Sequence, residues 1–501
     1  MDMTLMRGRL NPQVIVAGAG PTGLMLAGDL ALAGVAVFIV DRLPRSMTQS
    51  RASQLNTRTA EILRERALHG LLEEARQEPR AHFGGISFDL PECDSPYAGN
   101  WKVPQYRTEA VLARRALRLG AVLLRSHEVC AVADLGDHVV CELDGPAGRV
   151  ALRASYLVGC DGADSTVRRL AGFTFPEAEA TRELLRADVT GVAVPERRFQ
   201  RFEHGLAVAA TQDNVSRVMV HVFGQPMAGR TEPPRFAEIA QSWAKVTGDD
   251  ISAGQALWTD SFHNAAGQVT HYRQGRVLLA GDAAHRHLPI SGQSLNLGLQ
   301  DAVNLGWRLA QGVHGWSGDE LLDGYHAERH PVGGRIMAAV AAQEALLLGG
   351  HDMEPLRELF AELLASGQVR GHLGGLLGGL DIRYGDGRHP QTGRRMPLAG
   401  ALPGPAAAEA FTHLAHGRGV LLHLAATPRA RSRLDRLAAP WGSRVGIVHD
   451  SAGGAYEGLH TLLLRPDGHI GWADLEEGDL VTALRGWFGS RPDTVRSTGK
   501  D

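Results

Sequence analysis

The chain has 501 residues, 44% hydrophobic and 21% charged, an ordinary globular composition on more chain than one core holds, so two or three domains are expected. Its 52 basic and 55 acidic residues leave a net charge of −3, which gives no global field for nucleic acid or an anionic membrane. Cys93, Cys130, Cys141 and Cys160 form neither a CxxC nor a metal-ligand cluster, the first dozen residues lack the apolar core of a signal peptide, and no segment reaches membrane-span length, so a cytoplasmic protein with free thiols is expected.

In chain order, the first strong signal is Gln13 to Arg42. Val14–Ala17 has the bulk of a strand buried on both faces, and it runs into Gly18-Ala19-Gly20-Pro21-Thr22-Gly23 and then an apolar helix. A second apolar run, Val35 to Val40, ends on Asp41. This is a βαβ unit with a dinucleotide fingerprint: Gly18 for the tight turn, Gly20 for close approach of a pyrophosphate, Gly23 for helix–strand packing. Free N–H groups at the helix start face the phosphates, and Asp41 is placed to accept from a ribose. Arg42 and Arg51 flank the same place.

Thr57 to Leu72 is predicted as one amphipathic helix, and Arg80 to Val103 as strands and loops leaving the first domain. Gln105 precedes a helix, Ala121 to Leu124 follow as a strand, and a hairpin turns at Asp144-Gly145. Tyr156 to Cys160 is a buried strand ending in Asp161-Gly162. From Phe173 to Ala266 the composition shifts toward β-branched and aromatic residues, with a strand over 217–223 and a helix over 235–246. The first domain returns with the strand ending Leu279-Ala280-Gly281-Asp282, followed by a loop to Gln293 and a helix from about Ser294 to Gly312. Helices continue to about Leu364, the Gly-rich 370–400 stretch is expected to be a connector, and the tail is a small α/β domain.

With these three signatures in order, the sequence resembles the single-component FAD-dependent aromatic hydroxylases, the flavoprotein monooxygenases of the p-hydroxybenzoate hydroxylase fold. The resemblance covers Val14 to about Ala310, and GRVLLAGDAAHRHLPISGQSLNLGLQDAVNLGWRLA is its most diagnostic stretch. SRASQLNTRTAEILRERAL and LLRPDGHIGWADL point to the polyketide- and rifampicin-type members with a thioredoxin-like third domain. The implied fold is α/β: a GR2-like Rossmann-type FAD-binding domain (1–79, 104–172 and 267–370), an inserted α+β substrate domain (80–103 and 173–266), and a thioredoxin-like domain (396–501) that lacks CxxC.

Carried over residue by residue, the resemblance gives Gly18, Gly20, Thr22 and Gly23 to the pyrophosphate, Asp41 to the ribose, and Arg42 and Arg51 to the adenosine and phosphates. It gives Gln105 to the ribityl region, Val129 to the adenine, and Asp161 and Arg168 to the region shared by FAD and passing NAD(P)H. Gly281 and Asp282 fall to the ribityl hydroxyls, Pro289 to the reactive edge of the flavin, and Gly292, Ser294, Leu295 and Asn296 to its pyrimidine end. Three departures stand out: Asp41 replaces the common Glu, Ser291-Gly292-Gln293-Ser294 replaces Gly-Gly-Gln-Gly with Ser294 as a helix-cap candidate, and the tail has no CxxC. A helix N-terminus near Ser294 suits the negative charge of reduced flavin. His285 and His287 have no suitably spaced carboxylate, so they are read as structural loop residues and no metal is expected.

The implied activity is hydroxylation of a bulky phenolic or polyketide-type aromatic through a flavin C4a-hydroperoxide, with FAD as cofactor, NAD(P)H (NADPH favoured) as transient co-substrate, and O2. Baeyer–Villiger oxygenation is the chemical rival, a non-enzymatic flavin protein the more distant one, and a homodimer is left open. No nucleic-acid or membrane partner is expected.

Overall fold

The computed structural model describes residues 11–47, 52–93, 95–385, 389–424, 428–450, 456, 459–474 and 480–490. Its central layer is a six-stranded sheet. Five strands are parallel, in the spatial order Val277–Leu279, Tyr156–Gly159, Val14–Ala17, Val37–Asp41, Val122–Arg125, and Arg273–Gln274 adds an antiparallel edge. These strands are apolar on both faces because helices cover both, as parallel sheets require. The Pro21–Leu32 helix lies between the sheet and the long Gln293–Val313 helix, and all of its residues from Gly23 to Ala31 are buried.

The excursion beginning at Arg80 is a hairpin, Arg80–Phe83 with Ile86–Asp89. The 183–263 region forms a five-stranded antiparallel sheet whose order is 197–202, 205–212, 215–222, 183–190, 255–263. One face carries Leu185, Ala187, Val189, Val218 and Val220 against the Phe236–Thr247 helix and its Trp243. Alternation along the strands sends the intervening residues to the opposite face, toward the first sheet.

Beyond residue 400, Gly419–His423 and Val445–His449 pair in parallel, and Thr461–Leu464 and Ile470–Asp474 extend the sheet antiparallel. With the Gly404–Ala415, Pro428–Ala438 and Leu480–Phe488 helices this is the order of a thioredoxin-like sheet. A buried ionic cluster joins it to the first domain: Arg465 donates to both carboxylate oxygens of Glu328 and to Asp467, and Arg308 pairs with Glu328. Burial alone would raise the Glu328 carboxyl, but Arg465 and Arg308 overcome it and hold the group down at about 2.

Four local expectations are corrected. The predicted Thr57–Leu72 helix is split into Thr57–Glu65 and Gly70–Glu73, because Ala67 turns left-handed at φ 55°. The hairpin turn sits at Pro146-Ala147, since Gly145 still pairs with Gly148. The helix after the loop starts at Gln293 with Gly292 as its N-cap, so Ser294 lies inside the first turn and caps nothing. The Gly-rich stretch is helical over Gly367–Gly378: Leu373, Leu376 and Leu377 are buried against Phe83, Phe88 and the end of the Asp319–Leu348 helix, and Gly374 lets Pro91 approach where a Cβ would crowd it.

Candidate active site

A cleft of about 620 Å3 follows the carboxyl ends of the parallel strands, where open α/β sheets bind ligands. Gly18, Gly20 and Thr22 form its floor. Gly18 sits at φ +104°, and a Cβ there would overlap the Cys160 carbonyl. Gly23 stands behind the floor, where a Cβ would overlap the Gly18 carbonyl. At Gly20 an added Cβ would meet nothing within 4 Å, so this glycine leaves bare backbone facing the open cleft.

Two helices begin at the cleft with their first N–H groups uncapped by side chains and no acid in the first turn. One is Pro21–Leu32, with Gly20 as N-cap. The other is Gln293–Val313, with Gly292 as N-cap at φ 67° and Ser294 and Leu295 on the cleft wall. Each presents the positive end of its dipole to whatever anionic or electron-rich group enters. Ser291, where a glycine would be unstrained, holds φ 55° and donates to Gln343 Oε1.

The acids of the three signatures behave differently. Asp41 lines the cleft, accepts from the N–H groups of Ala19 (2.7 Å) and Leu43 (2.8 Å), and is paired with Arg125 at 3.2 Å. Asp161 lines the cleft too, but its carboxylate accepts from Ser165 Oγ and from the Thr166 and Val167 N–H groups, tying the start of the 166–170 helix. Asp282 and Pro289 are the exposed residues of a loop, 281–290, that is otherwise buried or half-buried, and both line the cleft. Arg42, Gln105 and Val129 also line it; Gln105 accepts from the Ala52 N–H and donates to Glu109.

Arg168, expected beside the groove, is buried outside the cleft wall: it donates to the carbonyls of Ala283 and Ala163 and covers the Phe175 ring. The side chain of Asn296 likewise works inside the protein, accepting from the Asn56 N–H and donating to the Gln54 and Gly292 carbonyls. Gly281, at φ +63°, packs on Thr22 behind the wall. Arg51 lies outside the described residues.

Under the 281–290 loop lies a cluster that no local pattern announced. Asp301, fully buried, accepts from the Gly281 N–H (3.2 Å), from His285 Nε2 (2.7 Å) and from Arg329 Nε (2.7 Å). Arg329 continues to Tyr384 Oη and the Leu297 carbonyl. Burial pushes the Asp301 carboxyl up, yet Arg329 and His285 outweigh it and leave it depressed. His287 donates from Nδ1 to the Leu288 carbonyl, and burial lowers its ring to about 4, so it is neutral. Among the described residues no group of three or more ligands suits a metal ion.

The opposite wall comes from the antiparallel sheet. Arg186, Asp260, Ser261, Phe262 and His263 line it, and Arg286 beside His263 reaches Asp164 and Glu177 at the rim.

A fingerprint floor, two uncapped helix starts and a second sheet facing them define a dinucleotide-binding enzyme with room for a further ligand. Residues 11–340 match the FAD binding domain family, and residues 389–491 match the aromatic-ring hydroxylase C-terminal domain. The chain therefore belongs to the FAD-dependent aromatic-ring hydroxylases, and it is a flavoprotein monooxygenase. It is similar to the 12-dehydrotetracycline 5-monooxygenase/anhydrotetracycline 6-monooxygenase of Streptomyces rimosus, 38% identical over 95% of this chain and 98% of the relative. The rifampicin monooxygenase of Streptomyces venezuelae is 37% identical over 95% of this chain and 98% of its own length. Among solved structures, CabE, an aromatic hydroxylase from angucycline biosynthesis, superposes with a TM-score of 0.89 at 41% identity, covering 96% of this chain and all of CabE.

Proposed function

We propose that the chain hydroxylates a bulky phenolic or polyketide-type aromatic with O2, using FAD and NAD(P)H, with NADPH favoured. The observation that carries this reading is the shared cleft: nucleotide floor, flavin-side loop and sheet wall enclose one space. Gly18, Gly20 and Thr22 would hold the pyrophosphate at the first helix start, Asp41 the ribose, and Asp282 the ribityl chain. Pro289, Ser294 and Leu295 would meet the ring. Bound FAD supplies the reduction by NAD(P)H and the activation of O2. The chain's own work is to orient both ligands and exclude water, and the buried Leu288 and Ile290 of the loop, packed with Leu297 of the following helix, give it a dry backing.

The test is stopped-flow reduction of the FAD-loaded protein by NADPH, with and without polycyclic phenols that include anhydrotetracycline, followed by product structure. Faster reduction with a phenol and one oxygen added to an intact ring skeleton is expected. A ring-expanded lactone would move the reading to Baeyer–Villiger oxygenation. No NADPH oxidation with any phenol by protein that holds FAD would overturn it.

Asp282→Ala tests the cofactor assignment separately. Loss of charge-assisted hydrogen bonds should weaken FAD binding about ten-fold or more, read by fluorescence titration of the apoprotein, with circular dichroism unchanged. Unaltered affinity would remove Asp282 from the site.

A further inference from the structure

The sheet wall of the cleft departs from an ordinary interior. On its cleft-facing side, Arg186 and Asp260 sit opposite each other in register across strands 183–190 and 255–263, and Arg186 Nη2 donates to Asp260 Oδ2 at 2.6 Å. The same face carries a second pair, Arg217 and Asp188, joined by two bonds of 2.7 Å. The two guanidinium groups stand over the Trp258 ring, at 4.6 Å for Arg186 and 5.8 Å for Arg217, and Arg186 also covers Phe262 at 5.3 Å. Only one of the two pairs reaches the cleft: Arg186 and Asp260 line it, and Arg217 and Asp188 do not.

Arg186 is held by this packing with its side chain 7% exposed, while the Asp260 side chain is 25% exposed. The salt bridge engages Oδ2, and among the described residues Oδ1 accepts no hydrogen bond. A carboxylate acceptor set beside an aromatic residue on an otherwise polar wall, its charge balanced from behind by Arg186, can take one hydrogen-bond donor. Phe262 beside it also lines the cleft.

We propose that Asp260 is a specificity-determining residue that accepts the O–H of a phenolic substrate through Oδ1, with Arg186 as the positioning residue that fixes the carboxylate. The inference rests on the hydroxylase reading above and names the feature that the cleft selects: a free ring hydroxyl. Once a bound ring covers it, such an acceptor discriminates against analogues that lack the donor, because it is then left desolvated and unpaired. An anionic acceptor also draws the phenolic proton outward, which raises electron density on the ring that is to be oxygenated.

The experiment measures dissociation constants of 2-hydroxyanthraquinone and its methyl ether on the FAD-loaded protein, from the perturbation of the flavin absorbance. Wild type should favour the phenol about ten-fold or more. Asp260→Asn should shrink that preference to about two-fold while the ether binds as before, and Asp188→Asn, the matching change outside the cleft, should leave it intact. Should Asp260→Asn fold poorly with Arg186 unbalanced, R186M/D260L removes the whole pair and should show the same collapse. Retention of the full preference by Asp260→Asn, or its loss in Asp188→Asn, would overturn the proposal. So would a wild type that binds both probes equally. Wild type that holds FAD yet binds neither probe and oxidises no NADPH with any phenol would instead overturn the hydroxylase reading, and this inference with it.

Discussion

Asp301→Ala is expected to cost about 3–5 kcal/mol of stability, the scale on which one partner of a buried pair is lost. The substitution leaves Arg329 fully buried without its counter-charge and removes the acceptor for the Gly281 N–H and for His285. Denaturant unfolding of the apoprotein measures the loss, and FAD titration should show the 281–290 loop loosened as well. Because the folded carboxyl lies below its ordinary value of 3.8, its contribution is present above that pH and fades as the pH falls through the depressed value. The variant should therefore lose part of the wild type's acid-dependent destabilisation. Adding Arg329→Met to Asp301→Ala should recover part of the loss, since no charge is then stranded. A cost below about 1 kcal/mol, the range of exposed pairs, would show that the cluster is not needed.

Gly20→Ala and Gly23→Ala should separate binding from folding. Gly20 has φ −78°, which alanine adopts freely, and its added methyl would stand in the open cleft. The apoprotein should unfold as wild type does, while FAD affinity falls about ten-fold or more, in line with overpacking costs of about 1–3 kcal/mol. A methyl at Gly23 instead overlaps the Gly18 carbonyl and presses on Val16 Cγ1 at 3.2 Å. It forces the helix off the sheet, so soluble yield and apoprotein stability should drop along with the cofactor. Equal stability loss in both variants would contradict this division of labour between the two glycines.

The parts of the site legible in the sequence are those whose residues are neighbours in the chain. Val14 to Asp41 contains strand, glycine turn, helix and acid in one run, so periodicity and spacing were enough. The Gly281-Asp282 loop was legible through its resemblance to a known family. Asp301 and Arg329 were not, because they stand on two helices and meet only after the chain folds back; each alone reads as a solvated helix charge. Arg125 and Glu109, which join Asp41 and Gln105 on the cleft, were hidden in the same way. Arg168 went the other way: its position beside Asp161-Gly162 suggested a groove residue, and Phe175 and two carbonyls hold it inside. The 367–378 helix was missed because glycine propensity argues against it, and packing on Phe83, Phe88 and Pro91 decided the matter.

The strand order has a consequence for how the molecule comes off the ribosome. Val14–Ala17 emerges early, but one of its two neighbours, Tyr156–Gly159, is synthesised only after the whole hairpin and helix region between them, on the order of ten seconds later. Val277–Leu279, which must pair with Tyr156–Gly159, waits for the entire antiparallel sheet as well. Until then the most apolar strands of the nascent chain expose open edges and bare faces, the condition that favours misassociation. The antiparallel sheet, with short hairpins and its own Trp243 core, can close during that wait and stand as the template against which the nucleotide half completes itself. Slow, cool expression and early supply of flavin should therefore matter more to the yield of native protein than any change on its surface.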